Sequence, residues 1–237
     1  MYKLLKSIIH KISFYPYYLI EQKSREFIVS SVNSACSGKN KGIALDIGSG
    51  DRVNQQYIPS CWQYVALDYP SDPSERCKQT KSPDIWGDGC QLPIKSNKIS
   101  LVISTCVIEH VREPMQFFSE VHRVLVTSGV FIFSTNQTFR THEAPFDYWR
   151  FTCYGLRELL TKSGFEIIKI EPSNISSFLT GWLVVLDDIF KIGSKGSLPL
   201  ALLLSIPFWI LYPLFNKIKE KQDMANPIIW LVYAKKE

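Results

Sequence analysis

The stretch ALDIGSGDR, residues 44–52, decides the fold, because it joins a short apolar run to two glycines that stand one residue apart. Such a run followed by Gly48 and Gly50 is typical of a buried strand that ends in a tight turn, since glycine adopts backbone conformations that other residues avoid. Bare backbone at the turn lets a ligand approach the main chain closely. The carboxylate of Asp46 would repel a phosphate there, so the turn favours a ligand that carries positive charge.

Strand and helix patterns alternate from residue 41 onward. Strand-like apolar runs cover residues 43–47, 64–68, 99–104 and 130–135, and residues 113–125 have helical periodicity. This alternation predicts an α/β fold with a doubly wound sheet of parallel strands, in which ligands bind beyond the carboxyl ends of the strands. The polar residues that follow the strands are therefore candidates for a site: Asp46, Asp68, Asp88, Ser104, Thr105, Glu109 and His110.

Composition fits one globular domain with a large core, because 46% of the 237 residues are hydrophobic and 21% are charged. The net charge of +5 is mild, and no block of Lys and Arg is dense enough for a nucleic-acid tract. We therefore expect no nucleic-acid partner.

The six cysteines indicate a reducing compartment, because they lie far apart and form no C-x-x-C pair. This spacing predicts buried thiols in a cytoplasmic protein and no metal site. The cysteines are Cys36, Cys61, Cys77, Cys90, Cys106 and Cys153.

Residues 1–40 form a segment of different character, in which apolar residues mix with lysine and arginine. His10 and Lys11 interrupt its apolar stretch, so a secretory signal is not expected. Two interpretations stay open: a basic helix that covers the core or the ligand site, or a helix that also lies on an anionic membrane surface.

Five ordered pieces of the sequence resemble the class I S-adenosylmethionine-dependent methyltransferases, in particular the broad, type 11-like group with small-molecule or glycan acceptors. The pieces are LDIGSG (45–50), VALD (65–68), GDGCQLP with ISLVISTCVIEHV (87–111), EVHRVLVTSGVFIFSTN (120–136) and HEAPFDYWRFTCYGLRELLTKSGFEI (142–167). The resemblance implies a Rossmann-like sheet of seven mostly parallel strands with the last strand antiparallel. The sequence departs from the family at Arg52, where a third glycine is common.

The resemblance implies S-adenosylmethionine as cofactor and assigns its contacts. Asp46 would face the amino-acid end, Gly48 and Gly50 would allow close approach, and Asp68 would accept hydrogen bonds from the ribose hydroxyls, as acids at that spacing do in dinucleotide folds. Each aspartate alone could instead cap a helix. The remaining implied contacts are Asp88 to the adenine amino group, Gly89 and Cys90 beside the ring, and Ser104.

Methyl transfer requires mainly orientation of the acceptor, with a base only where a proton must leave. His110, just past the strand at 99–104, is the first candidate for this base, and His142 is the second. His110 could instead orient its loop by hydrogen bonds, and His142 could contact the acceptor. Glu109 is expected to orient neighbouring backbone.

The stretch HEAPFDYWRFT, residues 142–152, follows the strand at 130–135 and should lie over the acceptor side of the cleft. Aromatic faces beside an Asp/Arg pair suit a sugar ring or a flat acceptor, and arginine suits an anionic group. Alternatively, the aromatic rings pin the loop to the core while the Asp and Arg pair with each other. The predicted acceptor contacts are His142, Asp147, Tyr148, Trp149 and Arg150.

A long apolar insertion, residues 172–225, separates the last two predicted strands, at 164–172 and 227–236. Its uncharged run 198–215 contains three prolines, which disfavour one continuous helix and favour an in-plane hairpin with flanking lysines on lipid headgroups. This predicts peripheral contact with the inner membrane face. A lid or a homodimer interface would bury the same surface.

The sequence thus predicts one methyltransferase domain over residues 41–237 that methylates an oxygen of a small molecule, a sugar or a lipid-linked glycan. Two other interpretations remain: a quinone- or lipid-type C- or O-methyltransferase at the membrane, and a non-catalytic protein that binds S-adenosylmethionine. A dinucleotide oxidoreductase fits less well, because Val53 stands where G-x-G-x-x-G requires glycine.

Overall fold

The computed structural model describes residues 21–70, 80–139, 141–173 and 227–237. They belong to two compact units, of which the larger consists of residues 25–137, 141–171 and 230–237 and carries the site. The described part of the smaller unit is residues 21–24, 138–139, 172–173 and 227–229. The predicted basic segment before residue 21 and the apolar run 198–215 lie outside the described residues.

One seven-stranded sheet organises the chain, with the strand order β3-β2-β1-β4-β5-β7-β6. The strands are β1 (Ile43–Ile47), β2 (Gln63–Asp68), β3 (Ile85–Trp86), β4 (Ile99–Thr105), β5 (Leu125–Asn136), β6 (Phe165–Pro172) and β7 (Ile229–Lys236). Strands β3, β2, β1, β4 and β5 pair in parallel.

Strand β7 runs antiparallel to β6. The Ser173 amide donates to the Ile229 carbonyl at one end of the pair, and the Glu237 amide donates to the Gly164 carbonyl at the other. The predicted doubly wound, mostly parallel sheet with an antiparallel last strand is therefore confirmed.

Three α-helices accompany the sheet in the part of the chain that the structure describes. They are α1, whose described part covers residues 21–36, α2 (Pro114–Val124) and α3 (Cys153–Lys162). Proline suits the first turn of α2, and the Thr152 hydroxyl caps α3 by accepting a bond from the Gly155 amide at 3.1 Å. Among the residues described, no helix is long and apolar enough to cross a membrane.

Helix α2 and strand β5 meet in an aromatic core. The Phe131 and Phe133 rings stack with centroids 4.6 Å apart, and the Phe118 ring packs edge-on against Phe133 at 5.5 Å. Each such side chain, when fully buried, stabilises the fold by about 1.5–3 kcal/mol. This core fixes β4 and β5, and thereby the loops that follow them.

Strand β5 is longer than the predicted run at 130–135. It begins at Leu125, which pairs with Ile99, whereas Val130 already pairs with Leu101. The extra residues form a bulge around Ser128, whose φ is +60°. Because residues 126–129, VTSG, show no regular alternation of apolar and polar residues, the apolar pattern did not reveal this part of the strand.

The order of successive strands reverses at β1: β2 and β3 follow on one side of it, and β4 and β5 on the other. A crevice opens at such a switch point, outside the carboxyl ends of the strands. The glycine turn after β1, the acid that ends β2 and the polar turn after β4 therefore reach the same edge of the sheet.

Candidate active site

A cleft of about 770 Å³ lies at this edge of the sheet. Three groups of residues line it: the glycine turn with the end of β2, the segment 87–91, and the turn after β4 with part of the loop 142–152. The predicted site residues among its walls are Gly48, Gly50, Asp68, Asp88, Gly89, Cys90, His110 and Tyr148.

The glycine turn requires glycine at position 48. Its φ is +71°, and a Cβ placed there would stand 2.3 Å from Cγ2 of Val107. The amides of Gly48 and Ser49 both donate to the Leu67 carbonyl, at 2.9 and 3.2 Å, which fastens the turn to β2. The turn therefore packs tightly on its protein side.

Gly50 faces open space, since a Cβ at its φ of +48° would meet no atom within 4 Å. Its amide donates to Oδ2 of Asp68 at 3.0 Å, and the Tyr69 amide donates to Oδ1 at 2.8 Å. Asp68 is 2% exposed but lines the cleft. A carboxylate offers about four acceptor sites, so it can also accept bonds from the hydroxyls of a ribose.

Asp46 lies beneath the turn and is fully buried. Its carboxylate accepts a bond from the Tyr64 hydroxyl at 2.6 Å and from Nδ2 of Asn54 at 3.2 Å. Burial raises the pKa of Asp46 to about 6, although the bonds from Tyr64 and Asn54 oppose this shift. The structure thus makes Asp46 a support for the turn, behind the residues that line the cleft.

The segment after β3 forms a second wall. The Cys90 amide donates to Oδ1 of Asp88 at 2.8 Å, and a Cβ at Gly89 would stand 2.6 Å from the Phe117 ring. The apolar side chains of Leu67 and Phe117 line the cleft beside Asp88. An acceptor oxygen next to an apolar slot suits an adenine ring. Ser104 is buried and bonds the Ile47 carbonyl at 3.1 Å, so it joins β4 to β1.

Glu109 joins the turn after β4 to two other elements, and it is fully buried. Its carboxylate accepts bonds from the Thr135 hydroxyl at 2.8 Å and from Nδ2 of Asn136 at 2.5 Å. Its main-chain carbonyl accepts the amides of Tyr148 and Trp149 at 2.9 and 3.1 Å. Burial raises the pKa of Glu109 to about 7.

His110 and His142 come together, with their ring centroids 4.7 Å apart. Nδ1 of His110 lies 2.9 Å from the Phe146 carbonyl, and burial lowers the pKa of this histidine. Nδ1 of His142 lies 3.3 Å from Oδ2 of Asp147. Of the two rings, that of His110 lines the cleft.

The loop 142–152 is held by an ion pair. Arg150 donates to both carboxylate oxygens of Asp147 at 2.6 and 2.7 Å, and these bonds lower the pKa of Asp147 to about 2. Trp149 is 42% exposed and donates from Nε1 to the Val111 carbonyl. Of the two alternatives for this loop, the structure shows the one in which Asp147 and Arg150 pair with each other.

Arg112 also lines the cleft, although the sequence analysis did not select it. Its Nε donates to the Tyr148 hydroxyl at 2.9 Å, and its guanidinium lies 5.5 Å from the centre of that ring. The sequence feature that could have identified Arg112 is its position two residues after His110, in the same turn. This pair gives the acceptor side of the cleft a cationic and aromatic edge.

The fold is that of the class I methyltransferases, and the comparisons with known proteins agree. Residues 45–133 match the family described as Methyltransferase domain. These residues therefore resemble the S-adenosylmethionine-dependent methyltransferases, whose cofactor is S-adenosylmethionine. The residues present fit this cofactor, because the open face of Gly50 and the acceptor oxygens of Asp68 border one cleft.

Two curated relatives resemble the chain. "Probable S-adenosylmethionine-dependent methyltransferase" of Mycolicibacterium smegmatis is 28% identical over 154 residues, which is 61% of this chain and 59% of the relative. Human "Arginine-hydroxylase NDUFAF5, mitochondrial" is 22% identical over 182 residues, 67% of this chain and 52% of the relative. The chain thus spans little more than half the length of either.

A solved structure shares the fold. The phosphoethanolamine N-methyltransferase 2 of Haemonchus contortus, in complex with S-adenosyl-L-methionine, matches with a TM-score of 0.53 at 18% identity. The match covers 88% of this chain and 52% of that one. The named activities of these proteins differ, so the likeness does not identify the reaction of this chain.

Proposed function

We propose that the protein transfers a methyl group from S-adenosylmethionine to an oxygen of a small molecule, a sugar or a lipid-linked glycan. One observation supports this most: a single cleft is lined both by Gly50 and Asp68, the proposed cofactor wall, and by His110, Arg112 and Tyr148, the proposed acceptor wall. Both reactants of a transfer reaction can therefore meet in it.

The cofactor wall positions the donor. Bound S-adenosylmethionine supplies a methyl group on a sulfonium centre, which is already strongly electrophilic. Asp68 would hold the ribose by accepting its hydroxyl hydrogens, and Asp88 would accept from the adenine amino group. These carboxylates also complement the positive charge of the ligand, which a phosphate-bearing cofactor would lack.

The acceptor wall would orient the acceptor and remove the proton of its hydroxyl. The Phe146 carbonyl can only accept, so Nδ1 of His110 carries the hydrogen and Nε2 carries the lone pair. A lowered pKa keeps this ring neutral near pH 7, so Nε2 can receive the proton of an acceptor hydroxyl. Arg112 and Tyr148 supply a planar surface for a ring or an anionic group.

We also propose that the chain works at the inner face of the membrane, where the apolar insertion 172–225 would bring a lipid-carried acceptor to the cleft. The support is the uncharged run 198–215 with its flanking lysines. Flotation with anionic vesicles tests this: the intact protein should float with them and a variant without residues 198–215 should not. Equal behaviour of both would contradict membrane docking and favour a lid or a dimer interface.

Calorimetry with S-adenosylmethionine tests the proposed function, followed by a methyl-release assay with panels of hydroxylated small molecules, sugars and lipid-linked glycans. We expect saturable cofactor binding and acceptor-dependent formation of S-adenosylhomocysteine. Methyl release with amines or carbon acceptors only would refute oxygen as the methylated atom. Binding without methyl release on any panel would favour the non-catalytic alternative.

A further inference from the structure

Three side chains with metal-ligating atoms converge at the acceptor side of the cleft. They are Glu109 and His110, in the turn after β4, and His142, in the loop after β5, and one ligand atom of each lies within 4.8 Å of the others. We propose that these three residues bind a divalent transition-metal ion. The expectation of no metal site rested on the spacing of the cysteines. None of these three residues is a cysteine, so that spacing says nothing about them.

The acceptor oxygens beside both rings favour the tautomer that a metal requires. Because a carbonyl oxygen only accepts, Nδ1 of His110 donates to Phe146, and the lone pair of the ring lies on Nε2. Nδ1 of His142 lies 3.3 Å from Oδ2 of Asp147, and this carboxylate favours the tautomer with the hydrogen on Nδ1 and the lone pair on Nε2. Metal-bound histidines in general are oriented by such carbonyl and carboxylate partners.

The third ligand is held equally firmly. Thr135 and Asn136 each donate to one carboxylate oxygen of Glu109, and both donors are neutral. Each oxygen that accepts one such bond keeps a second lone-pair site. The carboxylate is fully buried, and a buried charge is stabilised by coordination to a cation. Ligands of one ion lie about 3–3.5 Å apart, so binding requires side-chain shifts of about an ångström.

The donor set favours particular ions. Two imidazole nitrogens and one carboxylate suit Zn²⁺, Mn²⁺ or Fe²⁺ better than Mg²⁺ or Ca²⁺, which prefer oxygen ligands only. Three protein ligands leave coordination positions open, and these would face the acceptor because His110 lines the cleft.

The role of the ion rests on the proposed function. A hydroxyl coordinated to the ion loses its proton more readily, so the O–H bond breaks and the proton passes to solvent. The oxygen electron pair then forms the bond to the methyl carbon, while the C–S bond breaks and its pair stays on sulfur. In the metal-bound form Nε2 of His110 is a ligand, so coordination of the hydroxyl takes over the role that this nitrogen has as proton acceptor in the metal-free form. An ion with more than four ligands keeps at least two open positions, which favours acceptors with adjacent oxygens, such as a catechol or a sugar diol.

Metal binding is tested without methyl transfer. The full chain, free of any tag and stripped of metal, is titrated with Mn²⁺ under electron paramagnetic resonance and with Zn²⁺ in a calorimeter. We expect one site, weakened at least 100-fold in His110→Ala and in His142→Ala. Asp147→Asn, which removes the charge beside Nδ1 of His142 and weakens the ion pair with Arg150, should cost about 10- to 100-fold.

His122→Ala is the matched control, because this histidine packs on Phe165 outside the cluster and should leave the affinity unchanged. Calorimetry with S-adenosylmethionine and a melting curve show that each variant is folded. Equal metal affinity of the wild type and the two cluster variants would overturn the proposal. A metal site in a protein that transfers no methyl group would leave the site standing and refute the proposed function.

Discussion

Gly48→Ala should destabilise the protein far more than the same change two residues later. The added Cβ would stand 2.3 Å from Cγ2 of Val107, on a backbone with φ of +71°. The left-handed backbone costs about 1 kcal/mol for a residue other than glycine, and overpacking a tight site costs about 1–3 kcal/mol more. Valine cannot yield easily, since its branched side chain is stiff at χ1. We therefore expect a loss of about 2–4 kcal/mol in the free energy of unfolding.

Gly50→Ala is the matched control, because its φ is also positive and no atom lies within 4 Å of the added Cβ. It should lose only the backbone cost of about 1 kcal/mol. Urea denaturation of both variants, monitored by tryptophan fluorescence, measures the difference. In a double-mutant cycle, Val107→Ala should recover about 1–2 kcal/mol in the Gly48→Ala background. Equal losses at the two glycines, or no coupling to Val107, would refute the close approach of the turn to Val107.

Three further predictions concern single side chains. Asp68→Asn should keep the fold and weaken S-adenosylmethionine binding about 10- to 100-fold in calorimetry, because ribose bonds to a charged acceptor are lost; unchanged affinity would remove Asp68 from the site. Burial raises the pKa of Asp46 from 3.8 to about 6, so the folded state holds its proton more tightly and stability falls as pH rises through this range. Asp46→Asn should abolish about 2 kcal/mol of that fall between pH 4 and pH 7 in urea titrations, because an ordinary aspartate of the unfolded chain is already about half ionised at pH 4; parallel profiles would contradict the shift. Arg112→Ala should raise the KM for the acceptor about 3- to 10-fold while the affinity for the cofactor stays the same; a change in cofactor affinity instead would place Arg112 on the wrong wall.

The sequence predicted the framework of the fold well, because the period of its apolar residues reports directly which faces are buried. The runs at 43–47 and 64–68 match β1 and the end of β2, and the helix expected at 113–125 is α2. Strand β3 was not predicted, since two residues carry no period. The bulge at Ser128 was hidden for a similar reason: its residues do not alternate.

The site was predicted as a set of positions but not as a geometry. The ends of the predicted strands identify residues that reach the edge of the cleft, and Asp68 and His110 are two of them. Periodicity does not show depth, so it could not distinguish Asp68, on the wall, from Asp46, beneath it. The approach of His142 to His110 depends on how the loop 142–152 folds back, which no local pattern encodes.

Glu109 is hydrogen-bonded to both the loop 142–152 and the end of β5, and this limits how such an enzyme can acquire new acceptors. Its carbonyl anchors the loop that carries Tyr148, its carboxylate anchors the end of β5, and its neighbour is His110. A change in the loop that shifts this anchor would displace His110, the proposed base, along with the proposed recognition surface. Selection for a new acceptor should therefore act first on side chains such as Arg112, whose replacement leaves the anchor in place.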